Sequence, residues 1–288
     1  MEHWSEDQLE TFRRDGFVIV EEGFVDDRTV ELLRGRFDPL FEGRYDTGIR
    51  PDEVNWVPGR DPEDRTRQIC NGWKADPLIA AQTLAERTGR LAAELIGWEG
   101  VRLVQDNVIW KPPGAKSLGM HQDGSYLDYL VPPEMITCWI ALDDTTAESG
   151  PITYAAGSHR WPRSAENRGE FHAPPDWLAP AERARPEGQE LGLVPVVVRA
   201  GGAAFHHYNT FHGSGPNTAS VHRRAVISHL VRADTRFHPE HVDPVYSRYR
   251  RVGDLDLDES FFPIVWTRDG YRTGWLSRLG EPALIGPR

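Results

Sequence analysis

A mainly β chain with flanking α-helices, arranged as a sandwich or jelly roll, is the fold class this sequence predicts. Three observations predict it. From Val101 onward the chain breaks into short β-branched and aromatic runs with period-two alternation, separated by Gly, Pro and Asp. Before that point the apolar residues recur at helical spacing. The length, 288 residues, is one that large sandwiches and barrels reach as a single unit.

Taken in order, the first helix begins after Ser5, a capping residue, and stops at Asp15-Gly16, with Leu9, Phe12 and Phe17 at helix-like spacing. The stretch DDRTVELLRGRFDPLF repeats the pattern, with Asp26 or Asp27 as cap and Val30, Leu32, Leu33 and Phe37 turned inward. A third helix is expected from about Pro77 to Ile96. Residues 43 to 72 are polar and rich in Asp, Arg, Gly and Pro, the composition of a long functional loop. The strands follow as VRLVQDNVIW, MITCWIAL, PITYAA, LVPVVV, AAFHHY and RAVISHLV. Within 135–142, Ile136, Cys138, Ile140 and Leu142 share a face suited to packing on helices, whereas Thr137 and Trp139 share one suited to lining a cavity. Two inserts interrupt the strands: a polar, Pro-rich stretch from about Arg160 to Gly192, read as a lid or a surface insert, and a C-terminal segment from about Thr235. The expectation is one domain over 1–288: a mainly helical part to residue 100, a jelly-roll core over 101–232 and an extension over 233–288.

The net charge of −11, with no basic tract, argues against nucleic acid and anionic membrane as partners and leaves small molecules. No apolar run approaches the roughly 18 residues of a membrane span, and the N-terminal MEHWSEDQLE is acidic where a leader would be basic and then apolar. A cytoplasmic location is expected. Two cysteines, Cys70 and Cys138, are too few for a disulfide framework or a structural zinc site.

Chemistry concentrates in two places. MHQDGSYLDY sets His121 and Asp123 two apart, and FHHYNTFHGSGPN supplies His212 ahead of a turn-forming run. Two imidazoles and one carboxylate leave coordination positions open, as non-haem Fe(II) oxygenases require. Zinc hydrolases use the same ligand types, so the three alone leave the metal open. Arg223 follows His212 by eleven positions, far enough to cross a turn and return beside it. Its guanidinium fork favours bidentate capture of a carboxylate, such as that of a dicarboxylate co-substrate chelating the metal.

HQD, HGSGPN, the following arginine and GPITYAAGSH together resemble the phytanoyl-CoA dioxygenase family of Fe(II)/2-oxoglutarate-dependent oxygenases, over roughly Gln105 to Arg232 and more loosely the N-terminal helices. The resemblance implies a double-stranded β-helix, or cupin-like jelly roll, with N-terminal helices packed on the major sheet. It implies Fe(II) held by His121, Asp123 and His212, with 2-oxoglutarate and O2 as co-substrates and Arg223 on the distal carboxylate. Trp139 and Ser214 match positions lining the co-substrate pocket, and Gln105 matches a polar position if one gap is allowed. Gly201-Gly202 stands where the family often has Gly-Asp, a departure confined to a turn. The carboxylate at Asp123 argues against halogenation, since halogenating relatives carry a small residue there. The implied reaction couples oxidative decarboxylation of 2-oxoglutarate to oxidation of a substrate C–H bond.

Beyond these residues, Tyr126, Asp128 and Tyr129 are candidate substrate contacts, and His229, in phase with Arg223, is a candidate for the same pocket. His206 and His207 read as structural, Lys111 as an exposed charge and Ser158-His159 as a structural turn. The polar loops suit a sugar or aminoglycoside better than an acyl chain, and the style of the sequence resembles members that tailor bacterial natural products by hydroxylation or oxidative cyclisation, as in antibiotic biosynthesis. A zinc hydrolase and a metal-holding cupin-type binding module are the competing readings.

Overall fold

A computed structural model describes residues 2–163 and 172–279. Its strands are β1 (Phe17–Val20), β2 (Glu53–Val54), β3 (Arg67–Cys70), β4 (Gly100–Lys111), β5 (Leu118–His121), β6 (Leu130–Val131) and β7 (Met135–Ala141). These are followed by β8 (Ile152–Ala155), β9 (Leu193–Pro195), β10 (Ala203–His207), β11 (His212–Ser214), β12 (Arg223–Arg232), β13 (Arg236–Phe237) and β14 (Ile264–Thr267). The major sheet runs β1-β10-β7-β12-β4-β3-β2, with β14 also on β4, and the minor sheet runs β5-β11-β8-β9. All six expected strands form. The inner faces of the two sheets meet through Phe17, Trp139 and Ala225 on one side and Ile152 and Tyr154 on the other. This is the cupin-like jelly roll.

The helices behind the major sheet follow local chemistry. Ser5 and Gln8 cap each other reciprocally at the start of α1 (Glu6–Asp15), and Gly16, at φ 83°, ends it. Phe17 therefore opens β1 instead of extending the helical stripe; its ring stacks on Tyr154 at 4.5 Å, on the cavity side. Asp26 caps α2 (Asp27–Arg34), with Val30 and Leu33 buried. The chain then breaks before α3 (Phe37–Phe41), because Pro39 has no amide to give the Gly35 carbonyl four residues back. The expected third helix is also two, α4 (Pro77–Thr83) and α5 (Glu86–Ile96). They pack on different strands, α4 on β12 and α5 on β4, β7 and β14, and a straight rod cannot follow a twisted sheet across both. A sixth helix, α6 (Ala179–Ala184), lies against β5.

The main core lies between α1–α5 and the major sheet. Ile136, Cys138, Ile140 and Leu142 all join it, as their alternation predicts, together with Leu33, Phe37, Ile79, Leu91 and Phe205. Residues 43–72 differ from the expected irregular loop, since β2 and β3 extend the major sheet beyond β4. The pairing of β12 with β4 carries a bulge: His229 faces Gln105 and Leu230 faces Leu103, leaving Val104 as an extra residue. Past that bulge Asp106, Val108 and Trp110 point to the helices while Gln105, Asn107 and Ile109 point into the cavity. The C-terminal segment is integral. β14 pairs with β4, and Tyr246, Phe262 and Phe237 build a second buried cluster at one end of the cavity.

Candidate active site

The cavity between the sheets has a volume of about 630 Å³. Three potential metal ligands meet at its inner end. β5 ends on His121, the next residues turn into a one-turn 3-10 helix opened by Asp123, and β11 begins on His212, directly opposite His121 in the antiparallel register. Each imidazole is oriented from behind: His121 Nδ1 lies 2.9 Å from the Gly119 carbonyl and His212 Nδ1 lies 2.9 Å from the Thr210 carbonyl. A carbonyl only accepts, so each ring carries its proton on Nδ1 and turns the lone pair of Nε2 inward. Both Nε2 atoms sit 3.6 Å from Asp123 Oδ1. One ligand atom from each residue lies within 4.8 Å of the others, a spacing that a single cation can bridge. Two neutral nitrogen donors and one carboxylate oxygen suit Fe(II).

The electrostatics match that use. Burial opposes ionisation of Asp123, but the imidazoles around it, with His206 donating to Oδ2, hold its carboxyl well below the usual carboxylate range. Burial, aided by His121 and His206, keeps His212 neutral, its pKa well below the ordinary value.

Further along, two basic side chains face each other across the β12–β4 pair: Arg223, which lines the cavity, and Lys111 opposite it. Arg223 is 3% exposed, and its Nε has no hydrogen-bond partner among the described residues. Its guanidinium carbon lies 5.9 Å from the centre of the Trp139 ring. Burial lowers its pKa to about 10. Lys111, read from sequence as an exposed charge, is fully buried because the strand continues through it with the cavity-facing phase; its Nζ donates to Ser214 Oγ at 2.8 Å and to the Gly215 carbonyl. Burial, and then the Arg223 charge, lower its pKa to about 6. Buried cations without a carboxylate are costly. A dicarboxylate with its keto-acid end toward the three ligands and its other carboxylate toward Arg223 fits this arrangement.

Other expected residues divide clearly. Trp139, Ser214, Gln105, Tyr126, Tyr129 and His229 line the same cavity. Asp128 does not: it is exposed and outside the lining, because its neighbours Leu127 and Tyr129 take the inward positions. His206 and His207 alternate across β10, so one of them faces the cavity: it is His206, read as a structural histidine, which donates from Nε2 to Asp123 Oδ2 at 3.1 Å. His207, its neighbour on the other face of β10, stacks on Tyr208. Ser158 is structural as expected, accepting from Phe211 N and donating to the Ala155 carbonyl. Of the 160–192 insert, residues 164–171 lie outside the described residues. His172 lines the cavity and the Trp177 carbonyl accepts from Met120 N, so the described part packs on the strand carrying His121. Sequence reasoning missed Asn55, Gln68, Asn107 and Tyr246, which supply polar groups to the cavity from three separate segments. Their amide and phenol side chains are common surface residues, and only their alternation phase within strands carried a signal for Asn107. No helix among the described residues is long and apolar enough to cross a membrane.

The model of the phytanoyl-CoA dioxygenase family matches residues 12–225. The chain is 32% identical to a probable alpha-ketoglutarate-dependent hypophosphite dioxygenase of Stutzerimonas stutzeri over 55% of its length and 53% of that protein, so it spans about half of that relative. It is 25% identical to ectoine dioxygenase of Bordetella parapertussis over 77% of its length and 74% of that protein. Among solved structures, the alpha-ketoglutarate-dependent carbocyclase SnoK of nogalamycin biosynthesis superposes with a TM-score of 0.69 at 25% identity, covering 91% of this chain and 97% of that one. A zinc hydrolase or a turnover-free binding module has no use for Arg223 beside the three ligands. The chain belongs to the phytanoyl-CoA dioxygenase family, and the protein is an Fe(II)- and 2-oxoglutarate-dependent dioxygenase.

Proposed function

We propose that the protein oxidises an unactivated C–H bond of a polar small molecule, a natural-product intermediate of the sugar-containing antibiotic type, by hydroxylation or oxidative cyclisation. In this reading His121, Asp123 and His212 hold Fe(II), while Arg223 and Lys111 receive the distal carboxylate of 2-oxoglutarate. Trp139 walls the co-substrate and Ser214 fixes Lys111. Bound iron and 2-oxoglutarate supply the oxidising power: with O2 the keto acid becomes succinate and carbon dioxide, and the second oxygen atom is available to the substrate or to water. The chain's own groups bind, orient and exclude water. The observation that carries the reading is the buried, unpaired Arg223 Nε in the same cavity as three convergent ligand atoms.

The substrate class is supported by the far end of the cavity, where Asn55, Gln68, Gln105, Asp243 and Tyr246 offer hydrogen-bonding groups alongside the Tyr129 ring, with the Tyr126 ring beside His121 adding aromatic surface nearer the ligands. A hydroxylated ring uses both. SnoK acts in nogalamycin biosynthesis, which favours a natural-product role. The test is anaerobic titration with Fe(II) and then 2-oxoglutarate, watching for the visible charge-transfer band of the chelate. The band is expected in the parent, with its half-saturation raised on the order of 30- to 1000-fold in Arg223→Ala, the cost of stripping a buried charge of its partner. No band in folded, iron-loaded protein, or an unaltered half-saturation in the variant, overturns the assignment.

A further inference from the structure

We infer that Thr137 and His206 are positioning residues that hold one oxygen of Asp123 out of the metal site, and that a one-way hydrogen-bond chain ties this clamp to Tyr246 at the substrate end. The inference rests on the reading of Asp123 as a metal ligand. Its two oxygens are not equivalent. Oδ1 lies 3.6 Å from both Nε2 atoms, whereas Oδ2 accepts from Thr137 Oγ1 at 2.9 Å and from His206 Nε2 at 3.1 Å. His206 is fixed in turn by the Tyr154 hydroxyl, 2.9 Å from its Nδ1.

A carboxylate can only accept, and that fact sets the direction of every bond behind it. Thr137 spends its proton on Asp123, so it accepts from His229 Nδ1, 2.9 Å away. A neutral His229 protonated at Nδ1 must accept at Nε2, and Asn107 Nδ2 lies 2.9 Å from it. The Asn107 carbonyl oxygen then accepts from Gln105 Nε2 at 2.8 Å, and Gln105 Oε1 accepts from the Tyr246 hydroxyl at 2.5 Å. No donor meets a donor along the whole path. The sheet makes the path possible: His206, Thr137, His229 and Gln105 are successive cross-strand neighbours on β10, β7, β12 and β4. The Val104 bulge puts Gln105 on the cavity face. Both Gln105 and Tyr246 line the cavity, so a ligand there touches the far end of a chain whose near end sets how Asp123 meets the metal.

With Oδ2 held, Asp123 offers a single oxygen, which keeps a coordination position for the keto acid. Groups that orient a metal ligand typically change affinity 10- to 100-fold when removed. The test is anaerobic Co(II) titration of the full chain, reading the visible d–d band and the dissociation constant, followed by 2-oxoglutarate. Thr137→Val, close to isosteric, is expected to alter the band and to weaken Co(II) or 2-oxoglutarate binding about tenfold or more. Thr137→Ser, which keeps the hydroxyl, is expected to restore both, and Tyr246→Phe to shift the band in the direction of Thr137→Val by a smaller amount. Parent-like Co(II) and 2-oxoglutarate binding in Thr137→Val, or equal damage in Val and Ser, overturns the clamp; an unchanged Tyr246→Phe spectrum overturns the chain. If the parent itself binds no Co(II), it is the assignment of the three ligands that fails.

Discussion

Lys111 shows how far a single residue can depart from its ordinary behaviour. Its amino group is fully buried opposite Arg223, and burial brings its pKa to about 6. Above that pH the free protein holds a neutral amine there. In the proposed co-substrate site a carboxylate held by Arg223 and Lys111 favours the ammonium, so binding there takes up a proton, and 2-oxoglutarate affinity is expected to tighten as pH falls toward 6 and to level off below it. Calorimetric titration of the Co(II)-loaded protein in two buffers of different ionisation enthalpy measures that uptake. Lys111→Met is expected to abolish the slope and to weaken binding at pH 6 by roughly tenfold, about 1.4 kcal/mol; an unchanged slope would assign the proton elsewhere. At this scale the sequence brought out His121, Asp123 and His212, which the fold gathers around one point, because they and Arg223 stand out by type and spacing. Lys111 and His206 carry no such mark. Their depth is set by neighbours on distant strands, and a lysine before two prolines reads the same whether buried or exposed.

The elements most consequential for the site are among the shortest. β5 and β11 have four and three residues and were not expected as strands, yet their register places His121 against His212. Their contact depends on Gly213, where an added Cβ would come 2.8 Å from the Leu118 carbonyl oxygen and 2.9 Å from Met120 N, both backbone atoms of the paired segment. Gly213→Ala is therefore expected to part the two strands, lowering stability by about 1–3 kcal/mol and weakening Co(II) binding. Gly215→Ala, whose Cβ would meet only the Trp177 ring at 3.6 Å, serves as the near-neutral comparison. Thermal unfolding and metal titration of the pair check this, and equal behaviour of the two would remove the steric account. The longer strands were legible because period-two alternation accumulates over many residues, whereas three or four residues give too few repeats to separate strand from turn. The breaks at Pro39 and after Thr83 were hidden for the opposite reason: helical spacing continues across a kink as long as both pieces keep an apolar face to the same core.

In the whole molecule, the C-terminal segment ties the Tyr246 end of the cavity to the main fold. Phe262 is 1% exposed and meets Phe237 and Tyr246 edge-on, and β14 joins the major sheet at β4. Phe262→Ala is expected to cost about 3–5 kcal/mol and to lower a single cooperative unfolding midpoint, since the cluster it leaves is continuous with the cavity wall. A separate low-temperature transition that leaves the Co(II) site intact would show instead that this segment melts on its own. Architecture and chemistry separate at this scale. Sequence by itself determined the helix-then-strand order, the two faces of β7, the three side chains that converge and the arginine of the same cavity, because each is a local period or a short motif. Only the tertiary structure decided that Lys111 and Arg223 form one buried pair, that Asp128 turns outward, and that His206, Thr137, His229 and Gln105 make one row. Those facts depend on strand register and on a one-residue bulge, and register is set by pairing between segments more than about 110 residues apart, which no local pattern records.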